Sequence, residues 1–333
     1  MAHRDGSADA LSKMPRQRQV LAKRTRAERQ RDRKALGRLK SQVVSPKTEA
    51  RYLASVSRFL EFLISQGKPY PSSFLVLDLE VSQFIEELWE QGDPKGWAGD
   101  CLSGLGHFIP PCKPYLVGGW RLHAAWGRAE LPCRAPPFTP LLLYAVAQAA
   151  ADHGWVDLAV LLILGFHTFA RAGELFRAKA GDFVLGSKSG TWTLPLSKSG
   201  QRQGVTESIL LTDPFVLVLL KRFLVNLSPG DSLSHVSGGT QRKRLNDLLL
   251  TLKISFPFRW YSVRRGGATH AFRTTNNIAA ICVKGRWSSV KTARIYISDA
   301  VAQLTELQLS DSQLRQFRQL AMKCRPSFDN AVV

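Results

Sequence analysis

The stretch from Tyr261 to Ser298 reads YSVRRGGATHAFRTTNNIAAICVKGRWSSVKTARIYIS, and its pattern decides how the rest of the chain is interpreted. Arg264 lies at the start of a helical run, with Ser262 as the candidate N-cap. Trp287 follows a Lys-Gly-Arg turn, and Tyr296 lies nine residues further on, at the end of a short basic helix. The guanidinium, the indole and the phenol could all act on one phosphodiester.

These spacings resemble the second half of the active site of the tyrosine recombinase / phage integrase family. In that family the second arginine belongs to an HxxR motif, and a His or Trp after a glycine precedes the nucleophilic tyrosine by a similar spacing. Here the corresponding segments read YSVR, GRW and Tyr296. Tyr261 stands where the family has the histidine. A phenol, with an ordinary pKa of about 10, is a poor base near neutral pH but can donate a hydrogen bond to a phosphate. A core aromatic beside Trp260 is the alternative role for Tyr261.

A second box lies upstream, in HTFARAGELFRAKAGDF at residues 167–183. Its Ala-Arg-Ala-Gly-Glu-Leu segment resembles the first-arginine box of the same family, in which an acidic residue follows the arginine. The resemblance implies that Arg171 is the first catalytic arginine and that Glu174 orients it. A guanidinium suits this place because its planar fork can bond two phosphate oxygens and stays charged. An ordinary helix-terminal ion pair is the alternative.

Three short β-like runs follow, over residues 182–185, 191–196 and 205–211, and the two turns between them share the sequence SKSG. The family places a catalytic lysine between the second and third strands, which implies Lys198, with Lys188 as the competing candidate. A loop lysine can protonate the departing 5′ oxygen. A solvated turn lysine is the alternative.

The remaining sequence predicts a mainly α protein with a small antiparallel β-sheet. The predicted divisions are a basic, disordered N-terminal tail (1–46), a helical domain (47–131), a linker with four prolines in nine positions (132–140), a second domain (141–322) and a C-terminal tail (323–333). The resemblance implies that the helical domain is a SAM-like core-binding domain that grips DNA. The same resemblance implies that the second domain is a mixed α/β catalytic domain.

Hydrophobic periodicity places the main helices. The first apolar stripe follows Pro46 and comprises Tyr52, Leu53, Val56, Phe59, Leu60, Leu63 and Ile64. A helix from Val156 to about Thr168 is apolar on nearly every side and is predicted to be buried. A final helix is predicted over residues 299–321. The family resemblance implies that it could dock on a neighbouring subunit, and packing on its own domain is the alternative.

The composition fits a polyanionic partner. Lys and Arg number 46 against 26 Asp and Glu among 333 residues, a net charge of +20. Residues 1–46 carry 13 basic and 4 acidic side chains, so +9 lies in the tail and +11 in the remainder. Five widely spaced cysteines without a CxxC pair favour reduced intracellular thiols over a disulfide or metal framework. The apolar run 155–170 is shorter than the roughly 20 residues of a membrane span, and no cleavable signal is recognised.

The resemblance implies that Tyr296 attacks a DNA phosphate and forms a 3′-phosphotyrosyl link, without a metal or other cofactor. The implied partner is double-stranded DNA, bound by a tetrameric synapse, and no membrane. The basic tail could be a nuclear-localisation signal or a DNA-binding arm, which favours the nucleus and a eukaryotic or mobile-element recombinase. Two alternatives stay open. One is a catalytically degenerate DNA-binding protein derived from a mobile element, and the other is a type IB topoisomerase-like enzyme.

Overall fold

The computed structural model describes residues 25–194 and 206–330. These residues form two compact units, an amino-terminal unit that ends at Cys133 and a carboxyl-terminal unit that begins at Arg134. The boundary falls inside the proline-rich segment. None of the helices in the described ranges is long and apolar enough to cross a membrane.

The amino-terminal unit is helical throughout. Its α-helices are α1 (Arg26–Leu36), α2 (Pro46–Ser65), α3 (Phe74–Glu90), α4 (Lys95–Phe108) and α5 (Val117–Ala129), with 3-10 turns at Leu39–Gln42 and Pro110–Tyr115. As predicted, α2 begins at Pro46, where Ser45 caps the helix by accepting a hydrogen bond from the Thr48 N–H.

The core of this unit uses only part of the predicted stripe of α2. Phe59 and Leu63 are buried against α3 and α4, but Leu53, Leu60 and Ile64 are exposed. The interval between apolar residues therefore predicted the helix correctly and its buried face too broadly. A narrower face suffices because α2 packs on one side only, mainly on α4.

The second half of the N-terminal tail, which was predicted to be disordered, contains a helix in the structure. The exposed helix α1 lies within it, closed by a capping box in which Thr25 and Glu28 exchange hydrogen bonds. Local capping and the helix propensity of Arg, Lys, Glu and Ala account for a helix without a buried face. Residues 1–24 lie outside the described residues.

The carboxyl-terminal unit combines helices with one small sheet. Its elements are α6 (Pro140–Asp152), α7 (Val156–Thr168), α8 (Ala172–Leu175), β1 (Phe183–Leu185), β2 (Gly190–Leu194), β3 (Glu207–Leu211), α9 (Pro214–Leu224), α10 (Gly238–Thr251), α11 (Trp260–Thr275), α12 (Ile278–Gly285), α13 (Val290–Tyr296), α14 (Asp299–Leu307) and α15 (Asp311–Asn330). The strands pair antiparallel in the order β1-β2-β3, with Trp192 of β2 opposite Phe183 and Ile209.

Helix α7 lies at the centre of this unit, as its all-round apolar sequence predicts. It packs against α6, α9, α10 and α11, and residues 158–166 are all buried. The only charged residue near its start, Asp157, is buried and accepts hydrogen bonds from Gln241 and the His235 N–H. Its carboxylate is therefore well satisfied, and the helix that delivers Arg171 has a rigid base.

Helix α11 begins earlier than predicted. Its first residue is Trp260, and Ser262 lies inside the first turn, where its hydroxyl accepts the Arg259 N–H. Two consecutive glycines follow the arginines of this helix. A methyl group on Gly267 would fall inside contact distance of the Phe166 carbonyl oxygen, and one on Gly266 would do so at the Phe138 carbonyl. Gly267 therefore lets α11 approach the end of α7 at backbone distance, and Gly266 does the same at the segment before α6.

The C-terminal segment consists of two helices rather than one. Helix α14 ends at Leu307, and α15 runs on past residue 322, the predicted end of the domain. α15 packs on α6 and buries Phe317 and Cys324 completely in the main core. Of the two predicted locations, this helix takes the one on its own domain. At the other boundary, Phe138 of the predicted linker is also buried and stacks on Phe258.

We expect Gly267→Ala to destabilise the carboxyl-terminal unit by about 1–3 kcal/mol, because the added methyl group must displace the end of α7. Gly230→Ala is the matched control, since no atom lies near the position of its added methyl. Urea denaturation of both variants measures the difference. Equal stability would mean that α11 can move away from α7 at little cost.

Candidate active site

The end of α7 places the first arginine. Phe169 adopts a left-handed conformation, φ 52° and ψ 33°, which terminates the helix and turns its carbonyl toward α11. Arg171 follows in extended conformation, and the next four residues form the short helix α8. The buried, left-handed Phe169 thus sets the change of chain direction between the central helix and the Arg171 box.

Arg171 and Glu174 form the predicted pair. The Arg171 backbone N–H and its Nη1 each donate to the Glu174 carboxylate at 2.8 Å. Burial by itself would raise the pKa of Glu174, but hydrogen bonds and charge from Arg286 and Arg171 outweigh it and lower that pKa. The carboxylate is therefore charged at working pH and holds the guanidinium in place. A third of the Arg171 side chain stays exposed.

Arg264 is almost fully buried, at 2% exposure. Its Nη1 donates to the Phe169 carbonyl and its Nη2 to the Gly285 carbonyl at 2.6 Å, while its Nε has no hydrogen-bond partner among the described residues. Within the same residues no carboxylate forms an ion pair with it. Burial, followed by the charge of Arg171, lowers the pKa of Arg264.

Trp287 is placed by the end of α12. The Arg286 N–H donates to the Val283 carbonyl and the Trp287 N–H to the Cys282 carbonyl, at 3.0 and 2.9 Å, which closes the helix and turns the indole back across it. Gly285 is required there, since a Cβ would overlap the indole ring.

The indole of Trp287 is the common neighbour of the other groups. Its ring lies 4.5 Å from the Tyr296 ring, centre to centre, and the Arg264 guanidinium lies 4.7 Å from its centre. The Nε1–H is buried and has no well-formed hydrogen bond to any described residue. It is nevertheless near enough to the Tyr296 oxygen to help lower the pKa of that phenol. We conclude that this donor is available to a ligand oxygen.

Tyr296, the last residue of α13, lies between Trp287 and Tyr261. The rings of the two tyrosines are 5.2 Å apart, and Tyr261 is 42% exposed, which argues against a core role beside the buried Trp260. Burial alone would raise the pKa of Tyr296. Hydrogen bonding from Tyr261 and the positive charge of Arg264 outweigh it, so that this pKa is lowered, while the pKa of Tyr261 is raised.

The structure thus brings six of the predicted site residues together. They are Arg171, Glu174, Tyr261, Arg264, Trp287 and Tyr296. The seventh, Lys198, lies outside the described residues, in the connection between β2 and β3. The competing Lys188 is exposed in the turn between β1 and β2. The choice between these lysines stays a prediction.

Arg286 is the residue that the sequence interpretation missed. Its guanidinium binds Glu174 at 2.6 Å and Glu207, the first residue of β3, at 3.2 Å. In the sequence it was only the last residue of a Lys-Gly-Arg turn. The acidic partners lie 112 and 79 positions away, so no local pattern could have indicated them.

The combined arrangement is suited to an anion. Arg171, Arg264 and Arg286 lie close together, and the carboxylate of Glu174 is shared by two of them. A tetrahedral phosphate could accept from the guanidiniums and from the Trp287 N–H beside a phenol that ionises more readily than usual. The three guanidiniums and the indole N–H could therefore hold an anion beside the Tyr296 oxygen.

No protein-family model and no curated protein sequence matches the chain. Solved structures do. A lambda integrase dimer bound to a core site aligns over 78% of this chain and 92% of its own, with a TM-score of 0.54 and 16% identity. The Tn1549 transposon integrase in complex with transposon right-end DNA aligns over 80% and 95%, with a TM-score of 0.56 and 12% identity. A lambda integrase tetramer bound to a Holliday junction aligns over 78% and 74%, with a TM-score of 0.54 and 17% identity. The chain has the fold of the tyrosine recombinases, and the predicted fold class is confirmed.

We expect Tyr261→Phe to raise the pKa of Tyr296, because it removes the hydrogen bond that favours the phenolate. At a given alkaline pH the ionised fraction of Tyr296 then falls. NMR titration of ring-labelled tyrosine measures the shift, with Tyr296→Phe to assign the signal. Tyr144→Phe, distant from this site and bonded to His167, is the control. An unchanged pKa in Tyr261→Phe would show that Tyr261 does not act on Tyr296.

Proposed function

We propose that the protein cleaves and rejoins DNA strands through a 3′-phosphotyrosyl intermediate, as a site-specific recombinase or integrase. The observation that carries this proposal is the phenol of Tyr296, whose pKa is lowered, beside the buried Arg264 and the indole N–H of Trp287, which has no well-formed hydrogen bond to a described residue. The similarity in fold to DNA-bound integrases, which extends over most of both chains, supports the proposal.

The chemistry is an in-line displacement at phosphorus. The Tyr296 oxygen, having lost its proton to solvent, forms a bond to the phosphorus of a DNA phosphodiester, and the bond from phosphorus to the 5′ oxygen breaks. The covalent link keeps the energy of the broken bond. A 5′ hydroxyl from another DNA end can then attack the phosphotyrosine and release Tyr296, so that rejoining needs no nucleotide cofactor.

The two arginines stabilise the extra negative charge of the transition state. Arg171 is oriented by Glu174, and Arg264 by the carbonyls of Phe169 and Gly285, so that neither side chain must be ordered when DNA binds. Such preorganised donors are worth most where water is excluded, and Arg264 is buried. These guanidiniums supply the charge that metal ions supply in other phosphoryl-transfer sites.

Trp287 and Tyr261 have supporting roles in this proposal. The Trp287 Nε1–H donates to a non-bridging phosphate oxygen, since it has no other well-formed partner. Tyr261 donates to Tyr296 and favours the phenolate, a role that does not require the proton-accepting nitrogen of a histidine. The phenol at this position is therefore compatible with cleavage.

Lys198 is our proposed general acid. β2 ends at Leu194 and β3 begins at Glu207, so Lys198 belongs to the connection at which the family resemblance expects a lysine. Protonation of the departing 5′ oxygen prevents its immediate return to phosphorus.

The proposed partner is double-stranded DNA, bound by a self-associated assembly. The net charge of +20 supports the first, and the tetramer that lambda integrase forms on a Holliday junction supports the second. We place the protein in the nucleus because of its basic N-terminal tail, and we propose a recombinase of the eukaryotic or mobile-element type.

The first prediction concerns the nucleophile. Tyr296→Phe should abolish covalent protein–DNA adducts on a nicked, randomised DNA library and leave DNA affinity near that of the wild type. The reason is that Phe keeps the ring contact with Trp287 and lacks the attacking oxygen. Denaturing gel electrophoresis of labelled DNA detects the adduct, and sequencing of the attached strands identifies the site.

The outcomes separate the alternatives. Binding without any adduct in the wild type would favour the catalytically degenerate DNA-binding protein. Adducts with relaxation of supercoiled DNA but no recombinant product would favour a type IB topoisomerase-like enzyme. Adducts that persist in Tyr296→Phe would place the nucleophile elsewhere.

The second prediction concerns the arginines. Arg171→Lys and Arg264→Lys should each lower single-turnover cleavage by about 100-fold or more while changing DNA affinity little, because lysine lacks the fork that bonds the developing charge. Arg273→Lys, on the exposed side of α11, is the matched control. Equal losses in affinity and cleavage would mean that the arginines only bind DNA.

A further inference from the structure

Arg286 has a backbone conformation that its residue type does not favour. Its φ of 55° and ψ of 44° lie in the left-handed region, where glycine is the usual residue. A glycine here would end α12 equally well. The side chain must therefore contribute something that offsets the local strain.

The side chain joins three separated segments of the carboxyl-terminal unit. Nη2 lies 2.6 Å from Glu174 Oε2, and Nη1 lies 3.3 Å from Glu174 Oε1 and 3.2 Å from Glu207 Oε2. Only 9% of the Arg286 side chain is exposed, and its carboxylate partners are 4% and 11% exposed. These are charge-assisted hydrogen bonds shielded from solvent.

The joined segments are those that carry the reactive groups. Glu174 of α8 orients Arg171, Trp287 is the next residue after Arg286, and Glu207 begins β3. Movement at the end of α12 would therefore be transmitted to the Arg171 box and to the start of β3.

Charge gives Arg286 a second effect. Among the described residues of the site, the charges of Arg171, Arg286, Glu174 and Glu207 sum to zero, and Arg264 adds one positive charge toward a bound phosphate. Without the Arg286 charge, the four would sum to −1 next to that phosphate, in surroundings that screen charges weakly. A neutral Gln at Glu207 would bring the sum back to zero.

We propose that Arg286 is a positioning residue for cleavage, which fixes Trp287 and β3 to the Arg171 box and cancels the charge of the carboxylates beside the phosphate. This inference rests on the proposed function. It assigns to the turn residue before Trp287 a role distinct from those of the groups that touch DNA.

The test compares Arg286→Gln, Glu207→Gln and the double variant with the wild type. The probe is the nicked randomised DNA, and both its affinity and its single-turnover cleavage are measured. Arg286→Gln should lower cleavage by about 100-fold through misplaced groups and excess negative charge. Adding Glu207→Gln should recover a large part of that loss and restore affinity, since it removes one negative charge beside the phosphate.

Glu207→Gln alone keeps an oxygen that can accept from Arg286, and it should keep or raise DNA affinity. A double variant no better than Arg286→Gln, or a Glu207→Gln variant with weaker affinity, would overturn the inference. If Arg286→Gln does not fold, two other variants decide the inference. One is Glu207→Gln. The other is Arg286→Lys, which preserves the charge and should cleave better than any neutral variant at this position. A wild type without Tyr296-dependent adducts would overturn the proposed function and, with it, the role in cleavage. A wild type that forms adducts together with an Arg286→Gln variant that cleaves at the wild-type rate would overturn the inference alone.

Discussion

The rest of the site depends on the hydrogen bonds that the buried guanidinium of Arg264 donates to two backbone carbonyls. The guanidinium bonds the carbonyl that ends α7, at Phe169, and the carbonyl that ends α12, at Gly285. A charged group at 2% exposure is costly unless it is well hydrogen-bonded, and here two helix ends with unsatisfied carbonyls supply the partners. The same bonds fix how close the Arg171 box, Trp287 and Tyr296 come to one another. The same two hydrogen bonds therefore stabilise the site and set its geometry.

The arrangement also leaves the site short of negative charge. The buried Glu174 serves two guanidiniums, and Arg264 has no ion pair among the described residues. Burial lowers the pKa of Arg264, and the neighbouring charge of Arg171 adds to that effect. A bound phosphate would relieve the shortage of negative charge. The free energy needed to fix these positive groups is supplied when the chain folds. An anionic ligand therefore binds without reorganising them, which is the property of a preorganised electrostatic site.

The sequence predicted the elements of the fold better than their contacts. The helix start at Pro46, with its polar cap Ser45, was placed correctly because capping is local. The buried α7 followed from composition alone. By contrast, the exposed residues of α2 and the burial of α15 depend on which neighbours pack where, and hydrophobic periodicity contains no such information. Of the site, the arginines, Trp287 and Tyr296 were recognisable from their spacing, whereas Arg286 required partners distant in the chain.

The position of α15 restricts how copies of this chain could assemble. Phe317 and Cys324 belong to the main core, so a subunit that exchanged this helix with a neighbour would first have to open its own hydrophobic interior. Such an exchange has a high kinetic barrier and favours slow, concentration-dependent association. The preceding α14 is different, because its Val301, Leu304 and Leu307 are already exposed and can be covered without any unfolding. Covering α14 would therefore cost less free energy than displacing α15, which is part of the core of its own unit.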